Sequence, residues 1–322
     1  MDIFSFLSIL IFFLIFASFY SLTCLGLNMQ WGFTGLFNVG VAGFFAIGAY
    51  TSAILTGPFY PDTILGGFGL PVPVGYLGAL LTSGLAGLFI GFLTLRLRED
   101  YLAITTFGIA VSIQLVALNF KSLTRGADGL YSLPKPLSKL SVSNTVDNAL
   151  YLGICIAVIA IVYWAFERMV RSPWGRVLRS IREDETAAEA LGKNAFSYRL
   201  QAFGLGSAVM GLAGGLYANF VGFIGPFDFL PIFTLQVYVM LIVGGSGNNL
   251  GAILGGVVVW GLWTLSGDII AVLLPPGLQS QAGAVRIVMI GLALVLMLLY
   301  RPAGILPERR IVSHEARLEP AE

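Results

Sequence analysis

Apolar residues run through this chain in long blocks, and polar residues gather at the joints between them. The blocks fall near 3–27, 33–56, 72–95, 101–119, 149–166, 200–221, 233–245, 250–266 and 284–300. Most are long enough for a helix to cross a hydrocarbon layer about 30 Å thick. Inside such a layer each segment must satisfy its own backbone amides, so the blocks are read as helices; the alternation of a β-barrel is absent. Two blocks depart from the pattern: the second is rich in glycine, and the seventh is short and runs into "GGSGNN" at 244–249. The expected fold is an all-α, polytopic transmembrane helical bundle of eight or nine spans, one or two of them broken or re-entrant. Nine full spans place the start of the chain outside, whereas a re-entrant second block places it inside.

The stretch "NMQWGFTGLFNVG", residues 28–40, breaks the most apolar region with three amides and three glycines. Irregular backbone at membrane depth is tolerated only where it is buried in protein or lines a wet cavity. The stretch is therefore expected to be an irregular or broken helix facing a path, with Gly32, Gly35 and Gly40 letting the backbone bend. Asn28, Gln30 and Asn38, with Gln114, Gln236 and Asn248, are the candidates for lining that path. The same amides, like Asn119 and Asn219, also read as interhelical glue. Residues 28–40 and 244–249 combine glycine with amides, as paired unwound helices at a central site do, but no sequence repeat links them.

Composition agrees with a membrane setting. The chain is 57% hydrophobic and 11% charged, against about 25% charged in soluble domains. The first 95 residues carry no Lys or Arg, and their only acids are Asp2 and Asp62. No basic region or small-residue cleavage site follows Met1, so the first block is read as a retained span. Basic residues then gather at Arg96 and Arg98, across 167–199, and at Arg301, Arg309, Arg310 and Arg317, which together hold 13 of the 18 Lys and Arg. Short basic loops face the cytoplasm. The 120–148 loop, with Lys121, Arg125, Lys135 and Lys139, then faces the opposite side, as does Arg286.

Several chemistries are disfavoured. The lone histidine, His314, has no ligand cluster around it, and Cys24 and Cys155 sit in apolar runs as small core residues. No nucleophile–base pair or metal cluster supports an enzyme. Asp228, Asp268 and Glu167 lie only near span ends, which argues against a proton- or sodium-driven carrier. Glycine clusters such as "GLAGG" lack the Lys of a phosphate loop. Neutral amides suit passage of a zwitterion without a deep charged trap.

The longest charged segment is "ERMVRSPWGRVLRSIREDETAAEALGKNAFSYRL", 167–200. Ser172-Pro173 starts a helix, and Val177, Leu178 and Ile181 recur at helical spacing. "TAAEALG" is a short run of helix formers ended by Gly192. Two short helices are expected. They form either a solvated basic loop or a docking element for a soluble partner. "AAEALG" resembles the EAA-type coupling loop of ABC importer permeases, with Thr186 where that pattern often has Glu, so that Glu185 or Glu183 supplies the acid. "SPWGRVLRSIREDETAAEALG", "GLAGGLYANFVGFIGP" (211–226), "LIVGGSGNNLGAILGG" (241–256), "RPAGILP" (301–307) and "GLNMQWGFTGLFNVGVAGFFAIGAYT" (26–51) are similar to the branched-chain amino acid permeases of ABC importers.

The resemblance implies a permease domain over 1–310 and a cytoplasmic tail over 311–322. In it, 120–148 is a periplasmic loop and 167–199 a cytoplasmic coupling loop. Glu183, Asp184, Glu185, Ala187, Ala188, Glu189 and Gly192 would then meet the ATPase. It implies a bacterial or archaeal cytoplasmic membrane and four kinds of partner: a second related permease, two ATP-binding subunits, a periplasmic amino-acid-binding protein, and membrane lipid. Cofactors, metals, catalytic residues and nucleic acid have no place in that reading. The cargo is branched-chain or other neutral amino acids. Urea or short amides in the same machine are the alternative, and a self-contained channel or secondary carrier is a further one.

Overall fold

The computed structural model describes residues 3–308 apart from 62, 65–66, 98, 137–143, 274–280 and 302. The 311–322 tail with His314 and Arg317, and also Asp2, Arg98, Lys139, Arg309 and Arg310, lie outside the described residues, as do the side chains of Asp268 and Arg286. Twelve helices occur among the described residues: α1 Ile3–Leu27, α2 Val41–Thr56, α3 Val72–Thr94, α4 Glu99–Asn119, α5 Lys121–Thr124, α6 Asn144–Arg171, α7 Pro173–Glu183, α8 Glu185–Ala190, α9 Ala195–Val221, α10 Pro231–Gly244, α11 Asn249–Leu273 and α12 Ala282–Tyr300. Two short strands, β1 Leu130–Tyr131 and β2 Phe223–Ile224, pair antiparallel. Six of the helices are long and apolar enough to cross a membrane, and α2 and α10 are shorter apolar ones.

The closest packing in the bundle joins α2, α3 and α9, and glycine is what lets them approach. A side chain at Gly48 would begin 2.0 Å from the carbonyl of Gly211, and one at Gly87 would begin 2.5 Å from Ser207. Lipid is as apolar as leucine, so helices in a membrane gain little from hiding leucine against each other. Close backbone contact and hydrogen bonds across small residues supply the attraction instead. Ser83 adds such bonds, its hydroxyl lying 3.0 Å from the Phe44 carbonyl and 2.7 Å from that of Ser207. At the other end of this trio Asn219 accepts from Ser52 and donates to Thr56. Leucines such as Leu77, Leu81 and Leu85 on α3 point outward and are exposed, which suits lipid.

Contacts fix the direction of each pass. Gly26 faces Gly206 while Phe12 meets Phe220, so α1 runs antiparallel to α9. The start of α9 lies beside α8, and its end meets β1 through β2. Nine of the described helices therefore run between two ends of the bundle, with α7 and α8 at one end and β1–β2 at the other. Helix α1 starts at the strand end. Helix α2 starts at the α7–α8 end and runs through to the strand end, where Gly57 packs on Leu133. At 16 residues it is only about 24 Å long. It runs on to that end rather than turning back, as the broken-helix reading expects and the re-entrant one does not. Its inward placement also explains its length: 12 of its residues are buried in protein.

Candidate functional site

The α7–α8 segment is a built projection. Pro173 opens α7, where its missing N–H costs nothing. Gly175, Leu178 and Ile181 are buried and pin the helix to the bundle. Gly175 has no room for a side chain, whose first atom would lie 2.1 Å from the Val170 carbonyl. The backbone then turns extended at Asp184, whose carboxylate accepts from the Ala187 N–H at 2.9 Å and caps α8. Helix α8 closes with two bonds, Gly192 N–H to Glu189 O at 2.8 Å and Lys193 N–H to Ala188 O at 3.1 Å. Gly192 has φ +77, as this closure requires.

Only Ala188 of α8 is buried, against Ile181 and Ala195. Glu183, Asp184, Ala187, Glu189 and Gly192 are exposed, and half-buried Glu185 pairs with Arg199 at 2.7 Å. The structure thus brings all seven coupling candidates into one short projection. Leu191 stands with them, 79% exposed. Sequence reading passed over Leu191 because "LG" marked only a helix end.

Behind the projection lies a joint formed by residues far apart in the chain. Arg182, at the end of α7, donates to the Gly32 carbonyl and pairs with Glu308 at 2.8 Å. Gly32 belongs to a single π-helical turn, Asn28–Gly32, that extends α1. Asn28 donates to Asn249 at 3.1 Å and accepts from the Gly247 N–H at 2.8 Å. Asn249 in turn donates to Glu167 at 3.0 Å, and Glu167 pairs with Arg171. In the same turn, Gln30 donates to the Phe203 carbonyl and the Ser207 hydroxyl, and accepts from Asn38 at 2.7 Å. Tyr238 donates to the Asn38 carbonyl at 3.0 Å.

The 28–40 stretch is a broken helix: Asn28 and Gly32 meet the α7–α8 end through Asn249 and Arg182, while Gln30 and Asn38 reach the middle of α9 and α10 at Ser207 and Tyr238. Asn28, Gln30 and Asn38 have no exposed surface. Their amide groups bond within the chain, so in this conformation none faces an open path. Gly35 with φ +74 turns the chain, and Gly32 has no space for a side chain beside Asn28 and Gly247. Of the other three candidates, Gln114 and Gln236 lie apart, while Asn248 stands beside the joint between Gly247 and Asn249. Gln114 is half-buried on α4. Gln236 lines an apolar groove of about 200 Å³ with Trp260 and Trp263. Asn248 accepts from the Leu250 N–H at 3.0 Å, caps α11, and borders a cleft of about 160 Å³ with Glu167, Arg171 and Arg179.

A family model described as the permease component of the branched-chain amino acid transport system matches residues 9–300. The chain belongs to this permease family. It is 32% identical over 312 residues to the high-affinity branched-chain amino acid transport system permease protein LivM of Escherichia coli (strain K12), covering 90% of this chain and 68% of that one. It is 27% identical over 328 residues to the probable permease LivM of Methanocaldococcus jannaschii, covering 91% and 92%. It is 25% identical over 252 residues to LivH of Escherichia coli (strain K12), a permease protein of the high-affinity branched-chain amino acid transport system, covering 74% and 79%. No solved structure matches. Family membership and the apolar helices make this permease a multi-pass membrane protein.

Proposed function

We propose that this permease is one of two related membrane subunits of an ATP-driven importer for branched-chain amino acids. The observation that carries the reading is the α7–α8 projection, which holds Ala187, Leu191 and Gly192 clear of the bundle. A self-contained carrier has no use for such an element. An exposed leucine at the end of a short polar helix is an anchor for a partner, since burying one large apolar side chain is worth about 1.5–3 kcal/mol. The partner is an ATP-binding subunit, because this chain has no phosphate loop and its part is transport rather than catalysis.

The projection faces the cytoplasm of a bacterial or archaeal cell, and the 120–148 loop faces the binding protein on the other side. Similarity to both LivM and LivH supports a second, related permease as the neighbour across the path. Movement of the ATP-binding subunits pulls on α8, and Arg182 passes that movement to Gly32, the π turn and the glycine turn at 244–249. Asn28, Gln30 and Asn38 are proposed to act in this joint, with exposure to cargo only in a conformation where the joint has opened. Gln114, Gln236 and Asn248 stay as proposed path contacts.

Co-purification tests the docking. The chain expressed with its candidate ATP-binding subunits should retain them, and Gly192→Asp should lose them. Retention by that variant would contradict the docking role.

A further inference from the structure

Six aromatic side chains and one carboxylate enclose a cavity of about 110 Å³ that the reading above leaves unused. Phe16, Phe19 and Tyr20 come from α1, Phe45 from α2, Tyr217 from α9 and Phe233 from α10. The rings form a continuous wall. Phe45 lies 4.7 Å from Phe233 and 5.6 Å from Tyr217, while Tyr20 stacks on Phe233 at 5.6 Å. Phe16 and Phe19 meet Tyr217 edge-on at 6.3 and 6.0 Å. Asp228 completes the lining from a short 3-10 turn, Pro226–Phe229, at the strand end of the bundle. Asp228 is exposed as a residue, but its carboxylate is part-buried and accepts from the Gly225 N–H at 2.8 Å. Beside it Tyr50 packs on Phe229 at 5.6 Å with a buried hydroxyl that has no hydrogen-bond partner.

Packing alone would close such a space, because interiors fill to crystal density. Aromatic faces carry negative quadrupoles and attract a cation that has left water. A carboxylate at the mouth adds full charge, and the same rings offer apolar walls to an aliphatic group. Among the described residues, no basic side chain lines the cavity. The chemistry it recognises is therefore a positive head with an apolar body. We infer that this box binds the ammonium end of an aliphatic amino acid as it enters from the strand end. The inference rests on the import reading for the identity of the ligand, and on the cavity itself for the existence of the site.

The test is equilibrium binding of labelled leucine to the full chain in lipid nanodiscs. Two analogues compete: 3-methylbutylammonium, which keeps the ammonium, and 4-methylpentanoate, which keeps the carboxylate. The first should displace leucine and the second should not. Asp228→Asn keeps an oxygen for the Gly225 N–H but removes the charge, and should weaken binding about tenfold. Tyr217→Ala should weaken it as well. Displacement by 4-methylpentanoate as effective as by the amine, unchanged affinity in Asp228→Asn, or no leucine binding at all would overturn the site. The analogue comparison on the unaltered chain stands even where a variant does not fold. ATP-driven leucine uptake by the assembled transporter is measured separately. Uptake without binding here removes only this site, whereas binding without uptake removes the import reading and leaves the site.

Discussion

At the scale of single residues, buried amides and exposed ones behave differently. Asn28 bridges Asn249 and the Gly247 N–H with no access to solvent. Asn28→Leu would leave two polar groups unpaired in the interior, a loss of about 2–4 kcal/mol that thermal unfolding in detergent should register. Gln236→Leu, half-buried in an apolar groove, is expected to change unfolding by no more than about 0.5 kcal/mol. Equal losses would contradict the division between joint and groove. Arg182 offers a sharper case. Its pairing with Glu308 is part-exposed, so the ion pair itself adds at most about 1 kcal/mol. Its value lies in what it connects. Arg182→Ala should therefore leave the ATP-binding subunits bound and ATP hydrolysis present, while uptake per ATP falls severalfold. Full uptake in this variant would remove Arg182 from the transmission path.

At the scale of elements, glycine positions that look alike in sequence have opposite roles. A side chain on Gly48 would begin 2.0 Å from the Gly211 carbonyl, so Gly48→Ala forces α2 and α9 apart and should abolish stable expression. Gly153, inside α6, faces open space. Gly153→Ala should be neutral or should stabilise by up to about 1 kcal/mol, because alanine is the better helix former. Gly192→Ala lies between: nothing crowds it, but its φ of +77 strains any side chain. It should cost about 1 kcal/mol, read as faster proteolysis at residues 190–194, without loss of the fold.

The same contrast shows what could be read in advance. Each long helix was legible because its apolar block outlasts a membrane. The two loop helices were legible from Ser-Pro at one start and Leu-Gly at one end. Helix α2 begins at Val41, not near 33, because Gly35 adopts positive φ and Asn38 spends its amide on Gln30 and the Gly40 N–H. The joint was not legible at all. Arg182 and Gly32 lie 150 positions apart, and Asn28 and Asn249 lie 221 apart. Local periodicity carries no information about such pairs. The three front amides drew notice for the right reason, their cost in lipid, but that cost is met by protein partners rather than by water.

At the scale of the whole molecule, the bundle has two unlike ends. One carries a polar projection tied to a hydrogen-bonded joint; the other carries a small sheet above an aromatic cavity. Nine described helices connect them, seven long and two short, closely packed at glycines. This polarity is what a subunit needs if force arrives at one end and cargo at the other. The central claim is that transport by this permease is driven through α7–α8 by ATP hydrolysed elsewhere. The most direct measurement is uptake of labelled leucine and urea into vesicles holding the permease with its partner permease, the ATP-binding subunits and the binding protein. Leucine accumulation that requires ATP, and that Gly192→Asp abolishes, is the expected result. Leucine flux through the permease alone without ATP, or uptake of urea but not leucine, would contradict the account.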